Sequence, residues 1–227
     1  MQGFHWRLRM AQGRSLTFAH GAVTRLAALS LLCALHSGTA SAANAYADPE
    51  ATTREVCMTC HGAGGQGNAV VGAPKIAGMP AWYTKAQLIK FREGLRGQDP
   101  DYIEGLGMAA TVQGMSDAQF EALAGIVSDW PSHSPAITLA GNLESGRAIY
   151  GECAVCHGDR AQGNPNLGAP NLAGTSDWYL LGQLHQYQTG TRGQSAGDAG
   201  GAQMRAVMRT MQTEADLADV IAYINTL

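Results

Sequence analysis

The chain has 227 residues, a length that suits one large or two small domains. Fifteen Lys and Arg stand against 18 Asp and Glu, a formal net charge of −3, which excludes a nucleic-acid binder working through a basic surface. Four of the five cysteines fall in two tight pairs and the fifth, Cys33, lies near the N-terminus, so no disulfide framework is left to propose.

The first 42 residues hold Arg7, Arg9, Arg14 and Arg25 and no acid. An apolar stretch, Leu26 to Leu35, follows the basic segment, and Ala40-Ser41-Ala42 reads as a small-residue cleavage site. That three-part plan predicts a secretory signal peptide over 1–42 and a periplasmic mature chain. The apolar stretch is short for a bilayer span, which wants about 20 residues; an uncleaved leader acting as a membrane tether is the competing reading. Without the leader, 11 basic residues face 18 acidic ones, a surface that favours basic or dipolar partners.

Asp48-Pro49 predicts a helix start, with Asp as the cap and proline at the first helical position. The helix leads into Cys57-Met58-Thr59-Cys60-His61, a CxxCH run. Two thiols one helical turn apart can form thioethers with both vinyl groups of one porphyrin, and the next histidine then faces the iron. The competing reading is a zinc site made from two CxxC pairs, which leaves the histidines without a role. A loop with glycines at 62, 64, 65, 67 and 72 follows, then a helix from about Pro80 to Glu93, closed by Gly94. Ser116-Asp117-Ala118-Gln119 is a capping box opening a last helix whose Phe120, Leu123 and Val127 share one face.

Residues 131–142 read as a linker, after which the pattern repeats at an offset of 96. Cys57, Cys60 and His61 become Cys153, Cys156 and His157; Gly72-Ala73-Pro74 becomes Gly168-Ala169-Pro170. Trp82-Tyr83, Gln87-Leu88 and Arg96-Gly97-Gln98 become Trp178-Tyr179, Gln183-Leu184 and Arg192-Gly193-Gln194. Met108 and Met115 become Met204 and Met211. The second-copy helix is expected from Ser176 or Asp177 to Gly190. Its last helix opens at Thr213, one residue beyond the offset, with Leu217, Val220 and Ile224 as core. The economical reading is an all-α chain of two copies, 43–130 and 143–227.

An iron held by one histidine has a second axial site, and its occupant separates carrier from catalyst. Met108 and Met204 are the candidate second ligands, since Met/His ligation closes the iron and raises its potential. Met208 competes with Met204 but has Val112, not methionine, as its counterpart. Met115 and Met211 read as core. The second copy opens with Gly146 and Tyr150, a small/aromatic pair, where the first has Glu50 and Arg54.

The combined pattern of CxxCHG, APxxAG, WY with QL, GxRG and a later methionine resembles the tandem dihaem cytochromes c of the c4 type, from about residue 48 to 227. The resemblance implies two class I cytochrome c domains related by a pseudo-two-fold axis, with two covalently bound haem c groups holding iron. It implies that Pro74 and Pro170 carbonyls orient the ligand histidines. Trp82, Tyr83, Gln87 and Arg96, with Trp178, Tyr179, Gln183 and Arg192, would pack on the haem edge or meet its propionates. Such a chain is an electron carrier rather than an enzyme. It would work between a respiratory donor (a quinol-oxidising complex or a dehydrogenase) and a terminal oxidase or reductase. Its partners are redox proteins, through which it would associate with the membrane surface. The alternatives are the cytochrome subunit of a periplasmic dehydrogenase complex and a dihaem peroxidase-like enzyme, the latter needing an open iron. Lys75, Lys85 and Lys90 face Asn171, Leu181 and Gln186 in the repeat, so the first haem is expected to have the higher potential if these lysines lie near it.

Overall fold

The computed structural model describes residues 46–211 and 213–227; the leader, Cys33 and the expected cleavage site lie outside the described residues. The described residues are helical, joined by loops in which the isolated bridges Asn68–Ala73 and Asn164–Ala169 are the β pairing present. The first half carries α1 (Pro49–Thr52), a π-helical turn (Thr53–Cys57), α2 (Met58–His61), α3 (Ala81–Arg92), α4 (Ile103–Val112) and α5 (Asp117–Ser128). The second half carries α6 (Leu143–His157), α7 (Asp177–Thr189), α8 (Ala199–Met208) and α9 (Glu214–Ile224).

The helix ends follow local chemistry. The Asp48 carboxylate accepts from the Glu50 and Ala51 amides, with Pro49 in the first turn. Reciprocal capping boxes are present at Ser116/Gln119 and at Thr213/Asp216. The Gly94 and Gly190 backbones are left-handed, as a stop after α3 and α7 requires. Helices α4 and α8, which carry the candidate methionines, were not expected from the sequence. Their glycines lower intrinsic propensity by about 1 kcal/mol each, and packing against α3 and α7 supplies what propensity does not.

The expected core faces are buried: Phe120, Leu123 and Val127 on α5, and Leu217, Val220 and Ile224 on α9. The first core unites Phe91, Val112, Met115, Phe120 and Leu123, with Met108 and Tyr46 packed against it. Burying each large apolar side chain stabilises by roughly 1.5–3 kcal/mol.

The opening helices of the two halves differ. In the second, α6 runs unbroken along α9: Gly146 lies against the Asp219 backbone, and Tyr150 meets Tyr223 with ring centroids 5.6 Å apart. In the first, Thr52 and Thr53 turn their hydroxyls back onto the Asp48 and Pro49 carbonyls, at 2.8 and 2.7 Å, and Thr53–Cys57 widen into the π turn. Such back-bonding competes with the helix ladder and bends it. The absence of the Gly/Tyr pair in the first copy thus accompanies a different helix, not only different packing.

Candidate haem sites and the seam between the halves

Each CxxCH ends a helix, so its histidine leaves the helix axis where Gly62 or Gly158, both at positive φ, turns the chain. The following loop folds back and is braced by Gly67 N–H to the His61 carbonyl and Gly163 N–H to the His157 carbonyl, both 2.8 Å. That return brings Pro74 and Pro170 to the rings: His61 Nδ1 donates to the Pro74 carbonyl at 2.7 Å, and His157 Nδ1 to the Pro170 carbonyl at 2.8 Å. With Nδ1 so engaged, the Nε2 lone pair is the one free to bind a metal. Burial holds both imidazoles below the ordinary histidine range, outweighing the carbonyl bond that favours protonation, so both are neutral and ligand-competent.

The thiols stand beside them. Cys57 and Cys153 are half-buried, and burial raises both, Cys153 to about 11 with a push from Glu152; Cys60 and Cys156 are exposed. Among the described residues no three Cys, His, Asp or Glu side chains converge as a metal-binding cluster, so the four-thiolate zinc reading finds no assembled site.

In the second half, Cys153, Cys156, His157, Pro170, Met204 and Met208 line an open, mostly apolar cleft. Met204 and Met208 sit one turn apart on α8, and the repeat separates them. Met208 and its counterpart Val112 are both 2% exposed, core positions in either half. Met204 and Met108 are both half-buried at matched positions. Met115 is buried in its core, whereas Met211 is half-buried and also borders the cleft.

The expected edge residues lie at the seam between the halves. Arg96 donates to Gln87 Oε1 of its own half (2.9 Å) and across the seam to Tyr179 Oη (2.8 Å) and Gln183 Oε1 (2.7 Å). Arg192 mirrors it, donating to Gln183 Oε1 (2.6 Å), Gln87 Oε1 (2.9 Å) and Tyr83 Oη (3.3 Å). The pairing is reciprocal, as a pseudo-two-fold axis demands. Left-handed Gly97 and Gly193 permit it: each packs on the backbone of Gly105 or Gly201, where a Cβ has no room, and so sets the preceding arginine against the seam. Trp82 and Trp178 meet Tyr83 and Tyr179 edge-on, at 5.6 and 5.9 Å, and hold the tyrosines in place.

Both guanidinium groups are buried, at 4% and 5% exposure, and neither has a carboxylate partner among the described residues; Arg96 Nε has no hydrogen-bond partner. Two buried charges held only by amides and phenols are costly unless an anion joins them. Carboxylates of a bound group entering from the cleft that Arg192 lines would supply that anion, so the residues present fit a porphyrin with propionates.

The lysine expectation needs correction. Lys85 pairs with exposed Glu121 at 2.5 Å. Lys75 donates to the Gly174 carbonyl (2.9 Å) and Lys90 to Asp198 (2.6 Å), both in the second half, and Lys90 borders the second cleft. Their charge is spent across the seam because α3 and the Pro74 loop face it. What sequence reasoning missed is the pairing of Lys90 with Asp198, and the role of Asp177, which ties the linker to α7 through the Thr138 and Leu139 amides. His185 forms an exposed pair with Glu214.

Comparison with known proteins agrees with this geometry. Residues 50–125 and 143–227 each match the family Cytochrome c. Cytochrome c-552 of Acidithiobacillus ferridurans is 30% identical, over 97% of this chain and 96% of its own length. The thiosulfate dehydrogenase electron acceptor of Stutzerimonas stutzeri is 32% identical, over 66% of this chain and 71% of its own. The cytochrome c4 structure from Acidithiobacillus ferrooxidans superposes with a TM-score of 0.62 at 29% identity, covering 75% of this chain and 98% of that one. With two attachment motifs, two oriented histidines and a reciprocal seam, the chain belongs to the cytochrome c family and is a tandem dihaem class I cytochrome c of the c4 type, carrying two covalently bound haem c groups and electrons between redox partners.

Proposed function

We propose that the protein is a periplasmic electron carrier, not an enzyme, taking electrons from a quinol-oxidising complex or a dehydrogenase and delivering them to a terminal oxidase or reductase. The domains run from 43 to 130 and from 143 to 227, joined by a linker at 131–142, after removal of the leader. Among the described residues no helix is long and apolar enough to cross a membrane. Cys57 and Cys60 attach the first haem and Cys153 and Cys156 the second; His61 with Met108, and His157 with Met204, are the axial ligands. Pro74 and Pro170 orient the histidines. Arg96 and Arg192 receive the propionates, while Gln87, Gln183, Tyr83 and Tyr179 hold the guanidiniums and Trp82 and Trp178 back the tyrosines. Bound haem supplies reversible one-electron chemistry at iron.

The observation that supports this reading is the matched set of residues: each half carries a carbonyl-oriented histidine and a half-buried methionine at the same offset, and in the second half both line one cleft; ligation by both would close the iron to substrates. Mass spectrometry should give the mature polypeptide, beginning near Ala43, plus two haems. The oxidised protein should show the near-infrared sulfur-to-iron charge-transfer band, and Met108→Ala or Met204→Ala should each remove about half of it. An intact band in Met204→Ala with a halved one in Met208→Ala would reverse the assignment of the second ligand.

A second reading, service as the cytochrome subunit of a dehydrogenase complex, is favoured by the relative named as an electron acceptor of thiosulfate dehydrogenase. A stable co-purifying dehydrogenase would decide for it. A peroxidase-like enzyme needs an open iron, and the methionine in each half argues against that.

A further inference from the structure

The centre of the seam is symmetric, but its flanks are not. Lys90 on α3 reaches into the second half, where its Nζ lies 2.6 Å from Asp198 Oδ1. The Asp198 side chain is 1% exposed and that of Lys90 24%. The same Oδ1 accepts the Gly201 amide at 2.9 Å, which makes Asp198 the cap of α8, the helix that carries Met204. Lys90 also borders the cleft shared by His157 and Met204.

The repeat offers a built-in comparison. The counterparts of Lys90 and Asp198 are Gln186 and Tyr102. Gln186 Oε1 is buried without a hydrogen-bond partner, and Tyr102 caps α4 with no side-chain bond. At these matched positions the ion pair therefore runs in one direction, from the first half to the second.

A buried carboxylate that loses its only cation is strongly destabilised, and the structure around it must move or take up a proton. Here what would move is the first turn of α8. A positive charge beside the cleft also favours the more negative, reduced iron centre, the more so where water is excluded.

We propose that Lys90 is a positioning residue of the second haem centre, supplied by the first domain. It neutralises Asp198, fixes the start of α8 so that Met204 is held toward the iron, and raises the potential of that centre. The second centre thus depends on an intact seam, and the first receives no ion pair in return at the matched positions. This rests on the assignment of His157 and Met204 as ligands.

The test is potentiometric titration of the dihaem protein, together with the near-infrared band followed on warming. In Lys90→Gln, the wave that Met204→Ala displaces should fall about tenfold in its reduction equilibrium constant, ~59 mV for one electron. The wave that Met108→Ala displaces should stay in place. Half of the band should be lost at a lower temperature than in the wild type. Lys90→Arg should restore both readouts, and Lys85→Gln should leave both unchanged. The charge-neutral double variant Lys90→Gln/Asp198→Asn should recover the thermal resistance of the band and most of the shift. A general loosening of the seam would move both waves equally. That result, a shift confined to the first wave, or no shift at all, overturns the proposal. A band left whole in Met204→Ala removes the ligand assignment instead, so the two failures are distinguishable.

Discussion

At the scale of single residues, the repeat shows what each position must satisfy. Gly65 and Ala161 are counterparts, both in the left-handed region, at φ +66° and +56°. Ala161 is fully buried and its methyl joins the second core. A methyl on Gly65 would instead strike the Trp130 ring, which follows α5 in the first half only. Gly65→Ala should therefore destabilise the holoprotein by about 2–5 kcal/mol, combining a left-handed penalty of roughly 1–2 kcal/mol with overpacking of roughly 1–3. Denaturant midpoints of wild type and variant measure it. An unchanged midpoint would mean that the indole has room to yield. The sequence shows the glycine and the alanine; only the fold shows the indole that separates them.

At the scale of elements, one side chain holds the middle of the linker. Asp177, at the start of α7, accepts from the Thr138 amide (2.5 Å) and hydroxyl (2.8 Å), the Leu139 amide (2.8 Å) and the Trp178 amide (2.7 Å). Burial by itself would raise its pKa, but these donors outweigh burial and hold the carboxyl below its ordinary value. Because the folded pKa is the lower one, its stabilisation is fully present above the unfolded value of about 3.9 and is lost as pH falls below it. Asp177→Asn should cost about 1–3 kcal/mol at pH 7, the range of a hydrogen bond to a charged group. The gap from wild type should narrow on going from pH 5 to pH 3, as chemical denaturation at the three pH values would show; a constant gap would contradict the mechanism. The counterpart of Asp177 is Ala81, so this tether belongs to the second half alone. The sequence suggested a helix start at Ser176 or Asp177, but not that the first helical side chain would bind a segment 39 residues away.

At the scale of the whole molecule, stability and cofactor are coupled through the seam. Among the described residues, Arg96 and Arg192 are buried with amide and phenol oxygens and the rings of Phe91 and Tyr187 as partners and no carboxylate, and the second cleft is open and mostly apolar. Without propionates, the two like charges repel in a poorly solvated setting, and the apolar cleft is left to water. The haem-free polypeptide, obtained by expression without haem attachment, should therefore lose most of its helical far-ultraviolet circular dichroism, whereas the holoprotein keeps it. Near-native helicity in the haem-free chain would show that the seam closes on its own and that the arginines need no anion.

Much of this protein was determined by local sequence. CxxCH with its trailing histidine, the capping boxes at Ser116 and Thr213, the glycine stops at 94 and 190 and the 96-residue repeat depend on contacts within a few residues, or on comparison of the chain with itself. Helices α4 and α8 were not legible, because their glycine-rich turns are stabilised by packing and not by propensity. The seam was not legible either: that Arg96 would meet Gln183, and Lys90 would meet Asp198, depends on how two copies face each other, and such bonds span 87 and 108 residues. Charge could be counted from the sequence, but the haem a lysine would serve could not. Electrostatic influence falls with distance and screening, and distance across the seam is a property of the tertiary structure alone.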